Sequence, residues 1–272
     1  MADLAHRLTP RDRAILGLVW EHKVLTTDQI TALFFRTPER TQQRLRELHR
    51  HRALSSFRPW TPVGTAANHW VLGPAGAHVL AVERGVHIQQ LGYRLETALA
   101  IAVSPRLGHQ LGVNDFFVRL RAHARKHDEG TRLIRWLSER QCQSQWRDRA
   151  RPDAYGYWQE TDRCRQRSRI KFFLEHDTGT ERLASVAAKI DGYAALARKT
   201  GELVPVLFWL PSAAREANLR TILDTPKVPV ATAVHTPTTD PEGPAGPVWL
   251  PAGVNGARHR LACLGHAWEY PA

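Results

Sequence analysis

The period at which apolar residues recur changes along this chain, and that change limits the folds open to it. Helical spacing predominates over residues 8–52, and two short β-type runs follow at 54–60 and 68–72. A further helix is predicted over 73–84, after a Gly-Pro step. Three helices, a hairpin and a closing helix are the order of a winged helix-turn-helix domain, which we predict at residues 8–85.

Capping signals mark where the three helices begin. Thr9 is a good N-cap, and Pro10 after it suits the first helical position. The polar segment 26–29 supplies a second cap, and the turn at 37–38 precedes a basic third helix over 39–52. The sequence therefore predicts a compact three-helix unit before the hairpin.

The second region alternates strands with helices. After a connecting segment at 86–104, an amphipathic helix begins near Pro105, and the domain that it opens extends over 105–235. The predicted order is helix, three strands, helix, strand, helix, strand, which implies a mixed sheet with helices on its faces. The tail, 236–272, is rich in proline and glycine and is predicted to be mainly loop. The expected fold class is α/β in the broad sense of α+β. The predicted strands lie at 132–137, 154–158, 170–175, 204–210 and 228–234.

The charge of the chain favours a polyanionic partner. Its formal net charge is +12, from 38 lysines and arginines against 26 acidic residues. A positive field of this size concentrates nucleic acid at the surface, with anionic membrane as the second choice. No apolar run approaches the ~18 residues that a membrane span needs, and segment 1–7 lacks the apolar core of a secretory signal. We therefore expect a cytoplasmic protein that does not enter membranes.

The cysteines do not predict a metal site. Cys142, Cys164 and Cys263 are widely separated and show none of the short paired spacings of tetrahedral zinc sites. We interpret them as structural thiols.

The third helix is the strongest candidate for a DNA-binding element. Between Arg36 and Arg58 the chain carries seven arginines but only two acids, Glu39 and Glu47. In a helix-turn-helix this helix enters the major groove of double-stranded DNA, where its first residues read base edges and flanking cations hold phosphates. A solvated basic face on a structural or protein-binding domain remains the alternative. The candidate base readers are Thr41, Gln42, Gln43 and Arg44, and the candidate phosphate contacts are Arg40, Arg46, Arg50 and Arg58.

Two acids in the second region predict a metal site. Asp153 immediately precedes one β-type run, and Glu175 ends the next. If these strands pair side by side, both carboxylates reach one edge of the sheet and offer the oxygen ligands that Mg²⁺ prefers. Asp115 and Glu139 are further candidates for an acidic cluster, each against an ordinary surface role. His109, near the start of a helix, is more typical of a half-buried structural histidine.

Several short motifs resemble a known family. They are Leu8-Thr9-Pro10-Arg11-Asp12, Thr27-Asp28-Gln29-Ile30, Arg44-Leu45-Arg46-Glu47-Leu48, His109-Gln110-Leu111-Gly112-Val113-Asn114-Asp115, Pro152-Asp153, Phe172-Phe173-Leu174-Glu175-His176-Asp177-Thr178-Gly179-Thr180 and Lys189-Ile190-Asp191-Gly192-Tyr193. Together they resemble the actinobacterial replication-relaxation family over about residues 8–225. The resemblance implies a role in plasmid replication or mobilisation.

The second region also resembles the PD-(D/E)XK nuclease fold. That resemblance implies that Asp153 and Glu175 are metal ligands. The sequence departs from the pattern at Asp177, which stands where the lysine is expected. Lys189 on the next helix is a candidate for a migrated replacement of that lysine, and Lys171 is a weaker candidate. Alternatively Asp177 caps that helix and the domain is an inactive DNA-binding relic.

Three functions follow from these observations. The first is a Mg²⁺-dependent endonuclease directed by its winged helix, with Asp153, Glu175, Asp177 and Lys189 as the catalytic candidates. The second is a non-catalytic replication accessory factor or transcriptional regulator with a degenerate nuclease fold. A covalent nicking enzyme ranks last, because the five tyrosines and the histidines form no spaced cluster. By analogy with paired nuclease-like domains, we also expect a homodimer.

Overall fold

A computed structural model shows a mixed α+β protein, as predicted. It describes residues 7–61, 64–127, 130–146, 149–161, 166–235, 241–253 and 256–268. The chain divides into two compact units, Met1–Val118 and Arg119–Ala272, and the boundary falls inside a long helix.

The first unit contains the three helices and the hairpin that the sequence predicts, together with one further short strand. A short strand follows the first helix, and a hairpin follows the third; the strands pair in the order β1-β3-β2. The elements are α1 (Pro10–Glu21), β1 (Leu25–Thr26), α2 (Thr27–Phe34), α3 (Pro38–Arg50), β2 (Leu54–Phe57) and β3 (His69–Leu72).

Local capping chemistry explains where these helices begin. The Thr9 side chain accepts a hydrogen bond from the backbone of Asp12, whose carboxylate in turn accepts one from the backbone of Thr9. Thr26 and Gln29 form the same reciprocal pair at the start of α2. Such capping boxes satisfy backbone donors that the first helical turn leaves unpaired.

Further helices complete the first unit. The segment 86–104, predicted to be a connection, contains two short helices and a 3₁₀ turn at Ala100–Val103. Gly73 allows close packing at the start of α4, since a Cβ there would lie 2.3 Å from the Arg52 carbonyl oxygen. The elements are α4 (Pro74–Glu83), α5 (Ile88–Leu91), α6 (Leu95–Leu99) and the first half of α7 (Leu107–Lys126).

The second unit is a mixed sheet with the strand order β4-β5-β6-β7-β8-β9. Strands β4, β5 and β6 are antiparallel neighbours, whereas β7 runs parallel to β6 and β8 runs parallel to β7. The predicted helix, three strands, helix, strand, helix and strand are all present. They are β4 (Arg132–Ser138), α8 (Glu139–Trp146), β5 (Ala154–Thr161), β6 (Arg167–His176), α9 (Leu183–Thr200), β7 (Val206–Leu210), α10 (Ala213–Leu223) and β8 (Val230–Val234), all after the second half of α7.

The structure adds two features that the periodicity does not indicate. Helix α8 lies between the first two strands, and Cys142 is its one buried side chain, so it has no apolar stripe to reveal it. The tail is more ordered than predicted, because β9 (Leu250–Pro251) pairs with β8 and α11 (Leu264–Ala267) follows. An ion pair of Arg258 with Glu216, at 2.6 Å, holds the tail to α10, and one of Arg260 with Glu160, at 2.7 Å, holds it to β5.

One face of the six-stranded sheet carries Glu175 and the aromatic residues that pack near it. Phe173 of β6 packs there against Tyr193 of α9, and Phe208 of β7 joins them. Because side chains alternate along a strand, Glu175 lies on the same face as Phe173. In the part of the chain that the structure describes, no helix is long and apolar enough to cross a membrane.

Candidate nucleic-acid interface and carboxylate site

Helix α3 exposes a broad basic face. Its outer residues fall within one side of the helix, whereas Leu45 and Leu48 are buried on the other side. Arg58 follows β2 and is also exposed, and its Nε donates to Asn68 Oδ1 at 3.1 Å. We call five of the exposed residues of α3 the basic face: Arg40, Gln42, Gln43, Arg46 and Arg50.

Thr41 does not belong to the basic face. Its side chain is fully buried, and its hydroxyl donates to the Thr37 carbonyl oxygen at 3.0 Å. The same hydroxyl accepts from Thr31 of α2 at 3.0 Å. The expectation that Thr41 reads bases is therefore corrected, since this side chain joins α3 to α2.

Arg44 is also engaged inside the unit. Its Nε and Nη2 donate to the two carboxylate oxygens of Asp12 at 2.9 and 2.6 Å, and Nη1 donates to Glu47 at 2.6 Å. Burial by itself would raise the pKa of Asp12, but the hydrogen bonds from Arg44 and Thr9 lower that pKa below its ordinary value. The hydrogen bond to Asp12 raises the pKa of Arg44. Arg44 thus fastens α3 to α1 and is not presented to a groove, which corrects its predicted role.

Asp153 and Glu175 are brought together as predicted from strand pairing. Asp153 comes just before β5, and its backbone N–H donates to the Leu174 carbonyl oxygen at 3.1 Å, next to the Ala154–Leu174 pair that ends the ladder. Asp153 therefore lies beside the end of β6, close enough for its charge to raise the pKa of Glu175. The Asp153 carboxylate accepts the backbone N–H of His176 at 2.8 Å, which fixes its orientation.

Glu175 is buried and held by α9. Only 3% of the residue is exposed. Its Oε2 lies 2.9 Å from Lys189 Nζ, and its Oε1 accepts a hydrogen bond from the Tyr193 hydroxyl. Lys189 and Tyr193 are one helical turn apart, so both reach the same carboxylate. Lys189 also lies 3.3 Å from Glu181.

The surroundings of Glu175 shift the pKa of its carboxyl group. Burial, and then the charge of Asp153, raises the pKa of Glu175 to about 7, although Lys189 and Tyr193 oppose that rise. Burial and the neighbouring Glu175 raise the pKa of the Tyr193 hydroxyl. Glu175 therefore changes charge near neutral pH, which is where a group that binds metal or moves a proton is effective.

Asp177 does not join this pair. It forms a two-pronged ion pair with Arg215 of α10, at 2.6 and 3.1 Å, and accepts the backbone N–H of Gly179 at 2.7 Å. The N-cap of α9 is Arg182, with no side-chain cap hydrogen bond. Asp177 thus stabilises the turn after β6, and the expectation that it caps α9 is corrected.

The remaining candidates are distributed over the chain. Lys171 lies on the same sheet face as Glu175 but pairs with Glu202. Glu139 begins α8, and with Asp153 and Glu175 it raises the pKa of the buried Cys142 thiol, after the larger effect of burial. Asp115 and His109 lie in the part of α7 that belongs to the first unit. Cys263 is exposed, and Cys164 falls outside the described residues.

The donors at the carboxylate pair suit a hard cation with a partly open coordination sphere. Among the described residues, no group of three or more histidine, cysteine, aspartate or glutamate side chains is arranged to hold a metal ion. Two carboxylates are enough for Mg²⁺, which keeps several waters and takes the rest of its ligands from substrate.

The family model for replication-relaxation matches residues 16–206. The chain belongs to the replication-relaxation family. The match extends from α1 to the start of β7, so in this replication-relaxation protein it includes the basic face, Asp153, Glu175 and Lys189. The resemblance of the short motifs is thereby confirmed at the level of the family. No curated protein and no solved structure matches the chain significantly.

Sequence reasoning missed several partners of the site. The sequence places Tyr193 only within a family motif, whereas the structure buries it beside Glu175. The spacing of Lys189 and Tyr193 at i and i+4 is the signal that could have placed both on one carboxylate. Glu181 and Arg215 carry no such signal, because their partners are set by how loops and helices meet at the sheet edge.

Proposed function

We propose that this replication-relaxation protein binds double-stranded DNA through its basic face and cleaves DNA at the carboxylate pair in the presence of Mg²⁺. It would act in the cytoplasm, in plasmid replication or mobilisation of the actinobacterial kind. The observation that carries the proposal is the Asp153–Glu175 pair: the Asp153 carboxylate accepts the backbone N–H of His176, the residue after Glu175, and Lys189 Nζ lies 2.9 Å from Glu175. A winged helix followed by a PD-(D/E)XK-type domain combines DNA targeting with phosphodiester hydrolysis.

The basic face supports the DNA-binding part of the proposal. Arg40, Arg46 and Arg50 offer guanidinium groups to phosphates, and Gln42 and Gln43 offer amides that pair with adenine edges. These side chains are exposed at the helix that a helix-turn-helix places in the major groove.

The second unit supports the nuclease part. Asp153 and Glu175 would hold the cation, which when bound generates hydroxide and stabilises charge on the phosphodiester. Asp153 is oriented by the His176 backbone N–H, and Tyr193 orients Glu175. Lys189 places an ammonium group at this edge, in the role of the lysine that the pattern expects two residues after Glu175.

The test is incubation of supercoiled plasmid with the protein and Mg²⁺ or Mn²⁺. We expect nicking or linearisation that Glu175→Gln and Asp153→Asn abolish. The matched control is Asp191→Asn, because Asp191 is an exposed residue of the same unit whose surface ion pair with Lys227 contributes little. Cleavage that survives in both site variants would refute the assignment.

A non-catalytic accessory factor or regulator is the second candidate. The observation that favours it is that Lys189 and Tyr193 engage both oxygens of Glu175, as in a structural ion pair. If the protein has this function, it should shift the plasmid on a gel, leave the plasmid intact with Mg²⁺ or Mn²⁺, and bind the plasmid equally well in EDTA. Both candidate functions are compatible with a homodimer, and sedimentation equilibrium of the protein without DNA tests whether it dimerises.

A further inference from the structure

A cavity of about 290 Å³ opens on the sheet face that carries the carboxylate pair. Aromatic side chains dominate its walls. Along β6, Phe173 precedes Glu175 by two residues, a separation of roughly 7 Å on one strand face. The Tyr193 ring lines the cavity while its hydroxyl bonds Glu175, so the cavity adjoins the candidate site. The aromatic residues are Trp146, Tyr155, Tyr157, Phe173 and Tyr193.

The rings divide into a fixed inner wall and an accessible outer wall. Tyr155 and Phe173 are buried, whereas Trp146 and Tyr157 are half-buried. The Trp146 ring stands perpendicular to Phe173 with centroids 4.9 Å apart, and it lies 5.3 Å from Tyr155. Packing therefore fixes the position of Trp146 while part of its surface stays open to a ligand.

Polar and cationic groups also line the cavity. Arg135 and Gln145 are exposed, and Lys171 pairs with Glu202. Burial raises the pKa of Tyr155 to about 12, so its phenol keeps the proton and can donate. A purely apolar ligand would desolvate these polar groups without pairing them, which disfavours a lipid or an apolar peptide.

We propose that this cavity takes the base of a single-stranded or extruded DNA nucleotide and thereby places the adjoining phosphate at Asp153 and Glu175. A planar base fits between aromatic rings and its edge meets amide and hydroxyl groups, while Arg135, at the other end of the cavity, attracts a neighbouring phosphate of the same strand. The inference rests on the proposed function for its choice of DNA. It adds that the second unit acts on an unpaired nucleotide.

The test compares a fluorescently labelled oligo(dT) strand with an abasic strand of the same length and charge. Binding is followed by anisotropy in EDTA, so that no cleavage occurs. We expect the wild type to bind the dT strand about tenfold more tightly, as base stacking on an aromatic ring predicts. Trp146→Leu should remove this preference, and Trp146→Phe, which keeps an aromatic face, should retain most of it.

Tyr157→Leu provides a second variant if Trp146→Leu does not fold, and melting curves report folding for each. Equal binding of the two strands by the wild type would overturn the proposal. So would a base preference that persists in both leucine variants, since Trp60, 85% exposed, would then be the better candidate for stacking. Glu175→Gln separates the two proposals, because it should abolish cleavage while leaving the base preference intact.

Discussion

At the scale of single residues, arginines on one helix have different roles. Arg40 is exposed, whereas Arg44 is bonded to the buried Asp12 and to Glu47. Sequence position alone does not distinguish them, because both stand in the first half of a basic helix. The deciding factor is the acid at the third position of α1, which reaches Arg44 only in the folded unit.

Arg44→Ala should therefore destabilise the protein. Removing the guanidinium leaves the Asp12 carboxylate buried without its main partner, at a cost of about 2 to 3 kcal/mol. Arg40→Ala should change the free energy of unfolding by less than about 0.5 kcal/mol. Urea denaturation of both variants checks this, and equal stability would show that the Asp12 ion pair contributes little.

Glu175 should make stability depend on pH. Its pKa is raised from 4.5 to about 7, so its favourable contribution is complete below the unfolded value and is lost as the pH rises through about 7. Between pH 5 and 8, the unfolding free energy of Glu175→Gln should therefore rise relative to wild type by on the order of 2 kcal/mol. Denaturation at both pH values in EDTA measures the change. A constant difference would mean that Glu175 titrates at its ordinary pKa.

At the scale of elements, α3 and α9 each present their candidate functional side chains on one side of the helix. The basic face of α3 lies opposite Leu45 and Leu48, and α9 brings Lys189 and Tyr193 to one carboxylate. Helical periodicity is what groups these residues, because positions three and four apart share a face.

Loss of cations from the basic face should reduce the salt dependence of DNA binding. Each phosphate contact removed lowers the slope of log K against log salt by about 0.9. We expect this of Arg46→Ala and Arg50→Ala on a random duplex, whereas Arg84→Ala, an exposed arginine at the end of α4, should leave the slope unchanged. An unchanged slope in all three variants would place the DNA contacts elsewhere.

Helix α9 lies so close to the loop before β5 that a methyl group added at Gly192 should not fit between them. A Cβ at Gly192 would lie 2.5 Å from the Arg149 carbonyl oxygen, so Gly192→Ala should destabilise by about 1 to 3 kcal/mol. The control is Gly17→Ala in α1, where nothing lies within 4 Å of the new atom. That substitution should stabilise by about 0.5 to 1 kcal/mol through helix propensity. Thermal unfolding compares them, and a neutral Gly192→Ala would show that α9 can shift.

At the scale of the whole molecule, the two candidate activities lie in different compact units. The basic face is in Met1–Val118 and the carboxylate pair is in Arg119–Ala272. The family match includes both, and it ends at the start of β7, before α10, β8 and the tail.

Effects on the two sites should accordingly be separable. Arg46→Ala should weaken duplex binding but leave Mn²⁺ binding, measured by calorimetry, unchanged. Glu175→Gln should do the reverse, because sites in different units that share no partners contribute independently. Below about pH 7, Mn²⁺ binding to wild type should weaken as protons compete for Glu175. Equal loss of both activities in either single variant would indicate one coupled site.

Sequence alone determined the order of the main helices and strands, the α+β class, the basic third helix and the edge where Asp153 and Glu175 meet. These follow from local rules of apolar period, capping and strand alternation, which need no knowledge of distant contacts. Tertiary structure alone decided that Arg44 and Thr41 face inward, that Asp177 pairs with Arg215, and that β9 pairs with β8. Each of those outcomes depends on a partner remote in sequence, and its position is set only when helices and strands pack together.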